Sequence, residues 1–81
     1  MNVSVTFCGL HRLLTKTDQI RVPIPKQSKV DDILSYLKRC YPDLPLSKDT
    51  VLVTVNNRIS SADYVLAAGD QIALMPHIGG G

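Results

Sequence analysis

The chain has 81 residues, enough for one domain with a single modest hydrophobic core but too few for a deep enzyme pocket. Hydrophobic residues make up 44% of the chain and charged residues 20%, which is typical of a globular protein and excludes a disordered one. The net charge is only +2 and the basic residues are scattered, so the composition does not favour a nucleic-acid partner.

The beginning of the sequence, MNVSVTFCGLHRLL, has neither the basic start nor the long apolar stretch of a signal peptide. No window approaches the roughly 20 apolar residues of a membrane span. We therefore expect a cytoplasmic protein with no membrane partner. In that reducing compartment, Cys8 and Cys40 are expected to be small core or half-buried thiols, and not a disulfide, a metal site or a nucleophile.

Two segments in the first third of the chain, NVSVTF and QIRVPI, alternate apolar and polar residues with the two-residue period of a half-buried strand. The apolar positions are Val3, Val5 and Phe7 in the first segment and Ile20, Val22 and Ile24 in the second. The segment between them, GLHRLLTKTD, places Leu10, Leu13 and Leu14 at helical spacing and predicts a brief helical turn or a wide loop.

The next segment, SKVDDILSYLKRCYP, carries the strongest helix signal in the sequence. Ser28 and Asp31 have the spacing of a capping box, and Pro42 is expected to stop the helix. Apolar residues recur at helical spacing, at Val30, Ile33, Leu34, Leu37 and either Cys40 or Tyr41. This pattern predicts one amphipathic helix that packs on a sheet.

Three further strands are predicted in the second half. TVLVTV is β-branched and apolar on both faces, as expected of a central strand, and Asn56-Asn57 suits a tight hairpin to the short strand RIS. ADYVLAAGD predicts a turn of helix that ends at Gly69. QIALM is the last strand, after which Pro76 is expected to carry the chain off the sheet.

The order of these elements predicts an α+β protein with the β-grasp arrangement. A hairpin is followed by one main helix that crosses the sheet, and the later strands return to the same mixed sheet of four or five strands. A ferredoxin-like fold would need a second full helix, and no segment supplies one.

Most candidates for chemistry have simpler interpretations. His11 and His77 have no ligand set around them and are expected to be surface residues, so no metal and no bound cofactor is predicted. Ser60 and Ser61 beside Asp63 resemble a nucleophile with an acid, but no base is placed near them, and turn chemistry explains them better.

The C-terminal glycines remain as the candidate site. We predict a domain over residues 1–78 and a flexible glycine tail over 79–81, since glycine adds backbone freedom without a side chain to pack. Residues 75–81 reach at most about 23 Å, so the tail can enter a narrow channel of another protein while the domain stays outside. Adenylation would turn the Gly81 carboxylate into an acyl donor for sulfur or amine nucleophiles.

The sequence resembles the MoaD/ThiS family of ubiquitin-like sulfur carriers over nearly its whole length, and within it the molybdopterin synthase small subunit. The family patterns V-N, D-x-x-L-x-x-G-D and P-P-V-x-G-G match at Val55-Asn56, at Asp63 to Asp70 and at Pro76 to Gly81. Phe7 to Arg12 occupies the place of the family's F-A-x-L-R-E. The chain departs from the pattern at His77, which replaces a proline, and in having no glutamate.

This resemblance implies a β-grasp fold and a Gly81 carboxylate that becomes a thiocarboxylate, with Gly80 completing the functional diglycine. The implied partners are a ubiquitin-activating-type adenylyltransferase that uses ATP, a persulfide sulfur donor, and the large catalytic subunit of molybdopterin synthase or a thiazole synthase. Partner contacts are expected next to the diglycine, at Leu74, Met75, Pro76, His77, Ile78 and Gly79.

Three other functions stay open. The chain could be a protein modifier that forms isopeptide bonds through Gly81, a thiamin-type sulfur carrier, or a non-covalent ubiquitin-like interaction module. The chain is not expected to be catalytic on its own.

Overall fold

Seven helices and strands are defined in the computed structural model, which describes residues 1–47 and 50–76. In chain order they are β1 Asn2–Phe7, α1 Leu10–Thr15, β2 Gln19–Pro23, α2 Val30–Cys40, β3 Val51–Val55, β4 Arg58–Ile59 and β5 Gln71–Pro76. No helix within the described ranges is long and apolar enough to cross a bilayer.

The strands form one mixed sheet in the order β2-β1-β5-β3-β4. β5 runs parallel to β1 and antiparallel to β3, while β1 with β2 and β3 with β4 form antiparallel hairpins. The last strand is thus inserted between the first strand and the third, which confirms the predicted β-grasp arrangement.

One face of the sheet packs against α2 and forms the core. α2 contributes Val30, Ile33 and Leu37, all nearly inaccessible to solvent. The strand residues of the core are Val3, Val5, Phe7, Val22, Val51, Val53, Val55, Ile72 and Leu74, joined by Ile24, Leu44 and Leu66 from the connections. Most of the strand and helix positions are those that the periods predicted, because each period places its apolar residues on one face. The predicted positions Ile20 and Leu34 are only partly buried, and Leu44 and Leu66 were not predicted.

The cap of α2 differs from the predicted one. Lys29, and not Ser28, is the N-cap residue, and its backbone N–H donates to the Asp32 carboxylate at 2.8 Å. Ser28 is buried and its hydroxyl donates to the Pro25 carbonyl at 2.7 Å, which shapes the turn before the helix. The capping signal in the sequence was therefore displaced by one residue, and Asp32 performs the role that we assigned to Asp31.

The tight hairpin between β3 and β4 is confirmed. Asn56 and Asn57 have φ angles of 52° and 70°, the left-handed pair that a two-residue hairpin of this twist requires. The predicted helical turn after β4 is wrong, because residues 60–70 form turns and Val65 makes an isolated bridge to Lys29. Gly69 closes this segment with a φ of 82°, which disfavours any side chain there.

The predictions for one histidine and one cysteine were also wrong. His11 is fully buried on α1, although it was expected at the surface, and neither ring nitrogen has a hydrogen-bond partner among the described residues. Cys40 is exposed, whereas Cys8 is half-buried as expected, and both thiols are free. The spacing of apolar residues in a helix as short as α1 could not show which side of the helix would face the sheet.

The buried imidazole of His11 gives the first testable prediction. Replacing it with leucine removes two buried polar atoms that have no hydrogen-bond partner in residues 1–47 and 50–76, so His11→Leu is expected to raise the free energy of unfolding by about 1–2 kcal/mol. Chemical denaturation measures this difference. The control His11→Asn keeps a buried polar group and should gain nothing, and a loss of stability in His11→Leu would show that the ring has a partner.

Candidate functional site

The candidate site begins where the chain leaves β5. Because β1 and β5 are parallel and β3 is antiparallel to β5, this end of the sheet also holds the end of β1 and the start of β3. Val51 is the β3 partner of Pro76, so β5 runs one residue further than predicted, and Pro76 does not carry the chain off the sheet. The predicted glycine tail over residues 79–81 lies outside the described residues, and so do the predicted partner-contact residues His77 and Ile78.

The opposite end of β5 is held by side chains of the two motif positions Asn56 and Asp70. The Asn56 amide donates from Nδ2 to the Asp70 carboxylate at 3.0 Å, and its Oδ1 accepts the Gln71 backbone N–H at 2.9 Å. Asp70 also accepts the Ala67 backbone N–H at 2.8 Å. These bonds join the end of β3 to the start of β5, and they show that this part of the motif fixes strand position.

The face of the sheet that points away from α2, here called the outer face, changes character along its length. Near the start of β5 it carries the polar residues Ser4, Arg21 and Gln71. Toward the end of β5 it carries an apolar strip made of Leu52, Ile59, Ala73 and Met75 around Thr54. The apolar part of the outer face is thus its β5-β3-β4 side, where Leu52 and Met75 lie nearest the end of β5, while Thr6 and Gln19 keep the β1-β2 side polar.

The strip is held together by direct cross-strand pairs. Met75 lies opposite Leu52, and Thr54 lies opposite both Ala73 and Ile59. The side chain of Ile59 is 75% exposed, and those of Leu52, Ala73 and Met75 are half-buried. A connected apolar strip of this kind on a solvent-exposed sheet face is suited to binding another protein.

The two predicted partner-contact residues with described side chains point in opposite directions. Met75 lies on the outer face, within the apolar strip. Leu74 is fully buried in the core against α2, and its side chain instead fixes the position of β5.

Leu52 and Ile59 are members of the strip that the sequence analysis did not single out. Alternation within VLVTV places Leu52 on the opposite face of the sheet from its valine neighbours. Alternation within QIALM likewise places Met75 on the opposite face from Ile72 and Leu74. The missing information was the register, because only the pairing of β3 with β5 shows that Leu52 and Met75 lie side by side.

Within residues 1–47 and 50–76, no group of three or more histidine, cysteine or acidic residues could hold a metal ion. Ser60 donates its hydroxyl to the Ser61 carbonyl at 3.0 Å, which is the turn chemistry expected of it. The described part of the chain therefore offers structural roles for these residues, and the outer face and the exit from β5 remain as the candidate site.

The chain is similar to solved structures of ubiquitin-like β-grasp proteins, which is the class that the fold defines. SAMP1 from Haloferax volcanii superimposes with a TM-score of 0.84 at 22% identity, with 100% of each chain covered. A protein described as molybdopterin converting factor subunit 1 from Pyrococcus furiosus gives 0.84 at 23% identity, covering 93% of this chain and 95% of that one. Urm1 from Trypanosoma brucei gives 0.75 at 25% identity, covering 99% and 95%.

The family follows from the sequence match. The model of the ThiS family matches residues 5–81, nearly the whole chain, and the chain belongs to this family of ubiquitin-like sulfur carriers. No curated protein sequence matches the chain. Members of the family work with activating enzymes and with partner synthase subunits.

The two aspartates of the family motif D-x-x-L-x-x-G-D are predicted to differ in their effect on stability. Asp70→Ala leaves the Asn56 amide and the Ala67 N–H without their acceptor, so we expect a loss of about 1–3 kcal/mol. Asp63 is exposed and makes no side-chain hydrogen bond to the described residues, so Asp63→Ala should stay within about 0.5 kcal/mol. Denaturant titration compares them, and equal losses would contradict this role of Asp70.

Proposed function

We propose that the chain carries sulfur as a thiocarboxylate on Gly81 and donates it in the synthesis of molybdopterin. The observation that carries the proposal is the family match, which runs from residue 5 through Gly81 and so includes the three glycines that follow β5, His77 and Ile78 in the sequence. Gly80 and Gly81 have no side chains, so this part of the chain can pass through a channel too narrow for a Cβ atom.

The proposed chemistry needs an activating enzyme because a carboxylate is a poor acyl donor. A Gly81 oxygen attacks the α-phosphorus of ATP, and pyrophosphate leaves. The terminal sulfur of a persulfide donor then displaces AMP from the acyl carbon, and a thiol cleaves the resulting S–S bond to leave the thiocarboxylate. ATP is thus a substrate of the activating partner, and no cofactor resident in this chain is proposed.

Support for the molybdopterin branch comes from the first third of the chain. Thiamin-type carriers generally lack an insertion like GLHRLL, which this chain has at residues 9–14. In the structure that insertion forms α1, which contacts both β1 and β5. The large catalytic subunit of molybdopterin synthase is accordingly the proposed acceptor of the tail.

The apolar strip of Leu52, Ile59, Ala73 and Met75 is the proposed docking surface on the sheet. It lies on the part of the outer face that is nearest the tail, so one partner can cover the strip and receive the tail at the same time. Leu74 anchors β5 from the other face, which keeps the start of the tail in a fixed position while the partner binds.

The sulfur-carrier function is tested by intact mass. With a cognate activating enzyme, ATP and a persulfide donor, we expect a mass increase equal to the difference between a sulfur and an oxygen atom, localised to Gly81. The control chain without Gly81 should show no change. Failure of the full-length chain to gain this mass would contradict the proposal, and isopeptide conjugates to lysines in its place would favour the modifier function.

The branch is tested by adding acceptor enzymes to the thiocarboxylate form. Loss of the extra mass in the presence of the molybdopterin synthase large subunit and its pterin precursor is expected. Turnover with a thiazole synthase instead would assign the chain to the thiamin branch.

The docking surface is tested with two single variants that each introduce a lysine on the outer face of β5. Met75→Lys should raise the KM of the large subunit for the carrier at least about tenfold, because a lysine ammonium would have to be desolvated at an apolar contact. Gln71→Lys makes the same change on the same face, in the polar part, and should leave the KM nearly unchanged. Equal effects of the two variants would rule out the strip as the docking surface.

A further inference from the structure

The short helix α1 exposes its apolar side chains and buries its histidine. Leu10, Leu13 and Leu14 have 49%, 71% and 41% of their surface exposed, whereas His11 has none and its ring nitrogens are unpaired among the described residues. Stability alone favours the opposite arrangement, because burying leucine and solvating imidazole both lower the free energy of the folded chain. This inversion indicates that the exposed leucines are retained for a contact outside the domain.

The three leucines form one continuous surface. Their positions along the helix are i, i+3 and i+4, so their side chains are neighbours on one side of α1, here called the leucine face. Single exposed leucines are common on protein surfaces, but neighbouring ones form the kind of patch that marks a binding site.

The leucine face stands at the end of the sheet from which the tail begins. The Cys8 backbone N–H donates to the Leu74 carbonyl at 3.2 Å, and the His11 N–H donates to the Cys8 carbonyl at 3.1 Å. The start of α1 is therefore tied to β5 close to Pro76. Residues 77–81 extend at most about 17 Å, so a protein that binds Gly81 in its active site must approach this end of the sheet closely.

We propose that the leucine face docks onto the enzyme that activates the Gly81 carboxylate, an inference that rests on the proposed function. Activation comes before every transfer from Gly81, whichever acceptor follows, so this enzyme must bind the end of the sheet in each case. Arg12 on α1 and Lys16, the residue that caps its C-terminus, are both exposed, and Asp18 lies 3.7 Å from the Arg12 guanidinium in an exposed ion pair, so Lys16 carries the unbalanced positive charge beside the leucines. The matching surface is therefore an apolar depression with acidic groups at its rim.

The contact is tested with Leu13→Ala, because Leu13 is the most exposed of the three leucines and alanine preserves the helix. The matched control is Val65→Ala, which truncates a side chain that is 51% exposed near the N-terminus of α2, at the opposite end of the sheet. Three quantities are measured for each chain: the thermal midpoint, the Kd for the activating enzyme without ATP, and the KM for the carrier in ATP–pyrophosphate exchange.

For Leu13→Ala we expect the Kd and KM to rise at least about fivefold, at an unchanged thermal midpoint and a similar kcat, because one buried leucine contact is lost. Val65→Ala should match the wild type in all three quantities. Wild-type Kd and KM values in Leu13→Ala would overturn the proposal even if Gly81 is activated normally.

The remaining outcomes separate this contact from the proposed function. Leucine-dependent binding without any pyrophosphate exchange would support the docking contact and contradict the sulfur-carrier function. An absence of binding by the wild type would overturn both. Sedimentation of the wild type as a dimer that Leu13→Ala dissociates would assign the leucine face to a second copy of the chain and overturn the proposed occupant.

Discussion

The insertion of β5 between β1 and β3 is the constraint on which the rest of the structure depends. A strand in this position forms hydrogen-bond ladders on both sides, and Ile72 and Leu74 add apolar burial against α2. The Asn56 and Asp70 side chains fix its first residue, which sets the register of every later residue of the strand. The part of the chain that follows Pro76 therefore begins at a fixed point on the sheet.

This constraint also explains the meaning of the sequence motif. The V-N and G-D positions resemble a functional signature, but in the structure they form a structural joint between two strands and a turn. Gly69 supplies the left-handed backbone of that turn, and the Asp70 carboxylate accepts hydrogen bonds from the Ala67 N–H within the turn and from the Asn56 amide after β3. The V-N and G-D residues thus differ from the tail residues proposed for the chemistry. Their role is to fix the position of the strand from which the tail begins.

Much of the fold could be predicted because its signals are local. Alternation in NVSVTF and helical spacing in SKVDDILSYLKRCYP each place apolar residues on one face, and Val5 and Leu37 are indeed in the core. The N-cap was wrong by one residue, since Ser28 and Lys29 both lie before the helix and only the geometry of the turn decides between them. The helical turn predicted before Gly69 failed because pairing of Val65 with Lys29 overrides weak local propensity.

The candidate site was harder to predict because it depends on contacts between distant segments. Met75 was predicted as a partner contact because it is close to the glycines in the sequence. Its neighbour Leu52 can be recognised as part of the same surface only when the pairing of β3 with β5 is known. The same reasoning applies to α1, whose spacing gives an apolar side without saying whether that side meets the sheet. A six-residue helix contributes too little burial to choose its own orientation, so its attachment to Leu74 through Cys8 decides it.

The orientation of α1 has an energetic consequence for the whole domain. A chain of this size has a small core and a small net stability. A buried imidazole without a hydrogen-bond partner among the described residues, together with three exposed leucines, therefore lowers that stability considerably. Turning the helix to bury the leucines would remove them from the end of the sheet where a partner must approach. Stability and the proposed docking contact therefore make opposite demands on the same six residues, and the observed orientation is the one that the docking contact would require.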